Sequence, residues 1–85
     1  MMSKYDPLSK HLTSLTAQSV VMTFAEVEAV LGFDLPPSAR QYREWWANEA
    51  PETTRHIHSG AWTLVGRIAT PDMTTETVLF EKTSN

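Results

Sequence analysis

The pair of consecutive prolines, Pro36 and Pro37, constrains the fold of this chain more than any other feature of its sequence. Proline has no amide hydrogen and a fixed φ, so two in a row are tolerated only ahead of a helix or within its first turn. The pair therefore predicts the start of a helix, which we expect to run over residues 37–49. Pro51 closes this segment because proline cannot continue a helix.

The helical period assigns the aromatic side chains of this predicted helix to different faces. We expect three side chains to point into the core: Ala39, Tyr42 and Trp46. Trp45 and Trp46 are adjacent, so one core-facing stripe cannot take both. Trp45 therefore either packs against the segment 53–65 or is exposed as an anchor for a partner.

The order of the remaining elements predicts the fold class. Thr23 and Glu26 have the spacing of a capping box that opens a helix. The predicted elements are a helix over 6–15, a strand over 19–24, a helix over 24–31 closed by Gly32, the helix over 37–49, a weak helix within 53–65, and a hairpin of strands 67–69 and 77–81 around a turn at 70–73. This order predicts an α+β domain that resembles a winged helix-turn-helix. We expect three to four helices and a small three-stranded antiparallel sheet, in which the hairpin pairs with the early strand.

Composition limits the classes of protein to which the chain can belong. Its 85 residues predict a single domain over 1–85, since a chain this short supports one core. The sequence contains no cysteine, which excludes disulfides and thiolate metal sites. No apolar run is long enough for a membrane span, so we expect a cytoplasmic protein without membrane contact. The net charge of −3 argues against binding nucleic acid by bulk attraction.

The predicted helix over 37–49 carries most of the residues that can contact a partner. Guanidinium groups pair with guanine and with phosphate, and amides pair with adenine, so this helix has the chemistry to read DNA. The candidate partner-binding residues are Arg40, Gln41, Arg43, Trp45, Asn48, Arg55, His58 and Arg67. A structural alternative exists for Arg40, because Glu44 follows it at the spacing of a surface ion pair.

His56 and His58 form a second cluster. A zinc site needs at least three protein ligands, and no third ligand is evident near this pair, so no metal site is predicted. The sequence contains no nucleophile elbow, phosphate loop or metalloprotease helix, and we predict neither an enzyme nor a cofactor. We expect one histidine to donate a hydrogen bond to the end of the third helix and the other to be exposed.

Four stretches of the sequence resemble a small bacterial and phage family, a domain of unknown function. They are Tyr5-Asp6-Pro7-Leu8, the helix from Thr23 to Gly32, the run Leu-Pro-Pro-Ser-Ala-Arg-Gln-Tyr-Arg-Glu-Trp-Trp-Ala-Asn over 35–48, and His58-Ser59-Gly60-Ala61-Trp62. Relatives tend to have tryptophan where this chain has Arg67. The resemblance implies no activity. The candidate residues that it implies are Arg40, Tyr42, Trp45, Trp46, Asn48, His58 and Trp62.

Together these features predict a non-enzymatic domain that binds nucleic acid, DNA rather than RNA, through the helix over 37–49. The alternative is a protein-interaction module, such as a phage-encoded inhibitor or an oligomerisation domain, that uses Trp45 and nearby apolar surface.

Overall fold

The structure is a computed structural model that describes residues 3–49 and 57–83. Within these ranges the chain forms four α-helices and a three-stranded antiparallel sheet, which confirms the predicted α+β class. The helices are α1 (Asp6–Ser14), α2 (Phe24–Leu31), α3 (Pro37–Gln41) and α4 (Gly60–Thr63), and the strands are β1 (Ser19–Thr23), β2 (Arg67–Asp72) and β3 (Thr77–Lys82). Two 3-10 turns, Arg43–Trp46 and Ile57–Ser59, complete the elements described.

Helix α2 begins and ends where the sequence predicts. The Thr23 hydroxyl accepts a hydrogen bond from the Glu26 amide, and the Glu26 carboxylate accepts one from the Thr23 amide, so the capping box is complete. Gly32 ends the helix with φ of 85°, a conformation that costs glycine little. The buried face of α2 consists of Phe24, Val27 and Leu31.

The predicted helix over 37–49 is wrong beyond its first turns. Helix α3 ends at Gln41, Tyr42 is extended with φ of −125° and ψ of 121°, and a 3-10 turn follows. The break turns the Tyr42 side chain outward to 58% exposure, which corrects the expectation that it points into the core. Trp46 is buried as predicted, stacks on Phe24 with ring centroids 5.0 Å apart, and donates from Nε1 to the Ala39 carbonyl. Trp45 and Trp46 both lie in the 3-10 turn that follows the break.

The sheet has the strand order β1-β3-β2, with Val21 opposite Leu79 and Leu79 opposite Thr70. Its inner face packs on the helices, while Val21 and Ile68 on the outer face remain exposed. The element order and strand order are compatible with a winged helix-turn-helix.

The hairpin turn lies three residues later in the chain than the turn predicted over 70–73. Strand β2 continues to Asp72, and Pro71 therefore lies inside a strand. An edge strand tolerates proline where the missing amide would point away from the sheet. The Asp72 carboxylate starts the actual turn by accepting hydrogen bonds from the Thr74 and Thr75 amides.

The weak helix predicted within 53–65 is only partly described. Residues 57–59 form a 3-10 turn that leads into α4, whereas residues 53–56 lie outside the described ranges. No helix in the part of the chain that the structure describes is long and apolar enough to cross a membrane. The cytoplasmic location expected from composition stays a prediction.

Candidate functional site

Arg40 joins three elements of the fold. Its Nη2 lies 3.0 Å from Oε1 of Glu28 on α2, and its Nη1 lies 2.9 Å from Oε1 of Glu76 in the hairpin turn. The predicted alternative, an ion pair with Glu44, is therefore not formed. The Leu35 amide and the Arg40 guanidinium both hydrogen-bond Glu28, the amide having the larger effect, and together they lower the pKa of that carboxyl.

Arg43 and Asn48 hold the outer edge of β2. The Arg43 guanidinium donates to the Pro71 carbonyl at 2.8 Å. The Asn48 amide donates to the Ala69 carbonyl at 3.1 Å, and its Oδ1 accepts from the Ala69 amide at 2.7 Å. The same oxygen accepts from Nε1 of Trp62. Asn48 therefore pairs with β2 as the backbone of a neighbouring strand would.

Arg67 is buried at 2% exposure and cannot face a partner. Its guanidinium donates to the carbonyls of Leu15 and Ala17 at 3.0 and 2.9 Å, and makes longer bonds to those of Gln18 and Phe80. These bonds fix the loop between α1 and β1 to the inner face of the sheet. Gln41 is exposed at the end of α3, where it borders a shallow hollow with Asp34 and Pro37.

Trp45 and His58 stack face to face, with ring centroids 4.0 Å apart and planes 3° from parallel. Nε2 of His58 donates to the Trp45 carbonyl at 2.6 Å. Trp45 lies in the 3-10 turn Arg43–Trp46, so the predicted histidine bond is made to this turn, because the third helix already ends at Gln41. The stack also shows that Trp45 packs against the segment 53–65, one of its two predicted alternatives. Arg55 and His56 lie outside the described residues.

A cleft of about 310 Å³ opens beside this stack. Its described lining consists of Ser38, Tyr42, Glu44, Trp45, Glu49 and His58. Two carboxylates thus share the cleft with two large aromatic side chains, and no described lining residue is a lysine or arginine. Aromatic faces and carboxylates both attract cations. No pattern in the sequence indicated this grouping, because it depends on the break at Tyr42, which turns that side chain out of the core and into the cleft.

Within residues 3–49 and 57–83, no group of three or more histidine, aspartate or glutamate side chains is placed to hold a metal ion. Aromatic packing and negative charge are the features that the described residues give the candidate site.

These elements and contacts define a small α+β domain whose helices pack on one face of a three-stranded sheet. The chain belongs to the family described as Domain of unknown function (DUF7662), which matches residues 5–84. This match confirms the resemblance to a family of unknown function. The comparisons with curated proteins and with solved structures found no match.

Proposed function

We propose that the domain is a non-enzymatic protein-interaction module that binds a basic side chain of a partner protein in the cleft beside Trp45. The observation that carries this proposal is the lining of the cleft. Glu44 and Glu49 supply negative charge, and Tyr42 and Trp45 supply aromatic surface. An arginine or lysine side chain satisfies both features at once, because its charged end meets carboxylates and its aliphatic part packs on rings.

The distribution of positive charge supports a protein partner over nucleic acid. Arg40 is paired with two carboxylates, Arg43 bonds to a backbone carbonyl, and Arg67 is buried. A phosphate group would have to compete with these intramolecular partners for each guanidinium. Binding of DNA through a winged helix stays a prediction, supported by an element order that is compatible with that fold.

The size of the cleft matches one side chain of a partner. About 310 Å³ is at the lower end of the range for small-molecule sites. Tyr42 is 58% exposed at the rim, where a bound side chain would cover it. We therefore expect a single arginine or lysine to bind weakly, and a partner protein that also contacts the rim of the cleft to bind more strongly.

A titration followed by NMR tests the proposal. The probe is the blocked tripeptide Gly-Arg-Gly, and the uncharged tripeptide Gly-Gln-Gly is its control. We expect the arginine peptide to shift the indole resonance of Trp45 and the amides around Tyr42. The double variant Glu44→Gln/Glu49→Gln is expected to weaken this binding by about tenfold, because each carboxylate contributes a partly screened attraction. Glu81→Gln removes one carboxylate from the sheet, away from the cleft, and is expected to leave the binding unchanged.

Two results would overturn the proposal. One is equal response to both peptides, since recognition would then not depend on the cation. The other is tight binding of a short random-sequence DNA duplex at low salt, lost steeply as salt rises and weakened by Arg43→Ala. That result would establish the nucleic-acid prediction instead.

A further inference from the structure

The two edges of the sheet differ in how their backbone groups are satisfied. At the β2 edge, Asn48 bonds both the amide and the carbonyl of Ala69, and Arg43 bonds the carbonyl of Pro71. Pro71 has no amide hydrogen to offer. Proline and side-chain caps are devices that prevent an edge strand from pairing with another chain. The β2 edge is therefore protected from pairing with another strand.

Within the described residues, the β1 edge is capped only at its end, where the Glu26 carboxylate accepts a hydrogen bond from the outward Thr23 amide. The Phe24 amide bonds the Glu76 carbonyl, and the Lys82 amide bonds the Gln18 carbonyl. These two bonds determine which residues of β1 hydrogen-bond to β3 and which do not. Antiparallel pairing then directs the backbone groups of Val20 and Met22 toward β3, and those of Ser19 and Val21 away from it. Within the described residues, the outward amide and carbonyl of Val21 make no hydrogen bond.

The side chains along this edge favour association. Val21 is 63% exposed, and Ser19 and Thr23 beside it are also exposed. Strand β1 contains no charged residue and no proline. At Ser19 and Val21 a second strand therefore meets neither a charged residue of β1 nor a missing donor, which are the usual barriers to edge pairing, whereas the Thr23 amide is already bonded to Glu26.

We infer that β1 pairs with β1 of a second copy of this chain, antiparallel and around a two-fold axis at Val21. This register is self-complementary: Val21 faces Val21 of the second copy with both backbone bonds made, and Ser19 faces Thr23 of the second copy. Two three-stranded sheets become one six-stranded sheet. The exposed Val21 side chains then cover each other on its outer face. The inference is independent of the cleft beside Trp45.

The strand length sets the expected strength of association. Five residues on each side bury less surface than the roughly 1,200–2,000 Å² of a stable complex, so we expect a dissociation constant above about 10 µM. Sedimentation velocity from about 10 µM to about 1 mM covers this range and is expected to show a monomer–dimer equilibrium.

Residue-resolved amide exchange over the same concentrations tests the register. We expect protection of the Val21 amide to rise with protein concentration, while the Met22 amide, which already faces β3, does not respond. A protein that stays monomeric throughout, with concentration-independent exchange at Val21, would refute the inference.

Charge variants separate pairing from a loss of folding. Val21→Lys and Val21→Glu each place like charges across the two-fold axis, and each alone is expected to be monomeric. An equimolar mixture of the two is expected to regain association, which misfolded chains would not do. Ile68→Lys makes the same change on the outer face of the opposite edge strand and is expected to leave dimerisation intact. If Ile68→Lys abolishes association and the charge pair does not restore it, the interface lies elsewhere and the inference is wrong.

Discussion

Arg67 is buried and bonds only backbone carbonyls, which distinguishes it from the other two arginines that the structure describes, Arg40 and Arg43. Four carbonyl oxygens surround its guanidinium, and no carboxylate of the described residues forms a salt bridge with it. The sequence predicted a partner-binding residue here, whereas the structure buries this arginine, which is uncommon for a charged side chain. Buried and exposed positions alternate along β2, and residues 67, 69 and 71 are the buried ones. Arg67 therefore points inward.

Replacing Arg67 with leucine is expected to lower the free energy of unfolding by about 2–4 kcal/mol, since several buried carbonyls lose their donor at once. Arg67→Lys keeps the charge but not the planar fork, and should recover only part of this loss. Urea denaturation at neutral pH measures both. Lys82→Met is the control, because Lys82 is exposed and its side chain makes one hydrogen bond, to the Thr16 carbonyl. A loss for Arg67→Leu no larger than that of Lys82→Met would contradict this account of the loop.

At the scale of elements, the sequence predicted those that local chemistry determines. The capping box at Thr23 and the glycine at position 32 bound α2 where expected, because each acts through the nearest backbone groups. The break at Tyr42 was not predictable in this way. It depends on the Phe24 and Trp62 rings that receive Trp46, and these lie far from it in sequence.

The candidate site shows the same division. Trp46 was correctly predicted to be buried. One histidine was predicted to bond the end of the third helix, whereas His58 bonds the 3-10 turn that follows that helix. The roles of Arg43 and Asn48 were missed, because their partners are backbone groups of β2 that no side-chain pattern reports. The sequence therefore showed which residues make polar contacts. It did not show that Arg43 and Asn48 make theirs within the protein.

The Asn48 side chain hydrogen-bonds the backbone of Ala69 and so links the segment after the 3-10 turn to strand β2. Replacing Asn48 tests the contribution of these bonds. Asn48→Asp removes the donor to the Ala69 carbonyl and sets a carboxylate against it, so we expect a loss of about 1–3 kcal/mol in unfolding free energy. Gln41→Glu makes the same chemical change at an exposed position and is expected to alter stability by less than about 0.5 kcal/mol. Thermal and urea unfolding compare the two. Equal effects would mean that the Asn48 bonds contribute little.

At the scale of the whole molecule, the Glu28–Arg40–Glu76 group connects α2, α3 and the hairpin turn. The hydrogen bond from the Leu35 amide and the Arg40 guanidinium hold the pKa of Glu28 below its ordinary value of 4.5 in the folded protein. The unfolded chain therefore takes up a proton first as the pH falls. The stabilisation from Glu28 is complete above the unfolded pKa and is lost as the pH falls through the folded one.

Glu28→Gln is expected to flatten the acid side of the stability profile, because the glutamine cannot take up the proton that the unfolded state favours. Urea midpoints measured between about pH 6 and pH 3 should fall less steeply for the variant than for the wild type. Glu81→Gln, measured alongside, corrects for removing one carboxylate from the chain. Parallel profiles for Glu28→Gln and the wild type would assign the acid sensitivity to other groups.

The strand order also bears on synthesis. Strand β3 lies between β1 and β2, and it is the last of the three to leave the ribosome. Neither earlier strand has a neighbour until residues 77–82 emerge, so the sheet cannot assemble step by step during translation. The nascent polypeptide must keep its apolar strands from wrong pairings until then, because exposed, unpaired strand edges favour aggregation.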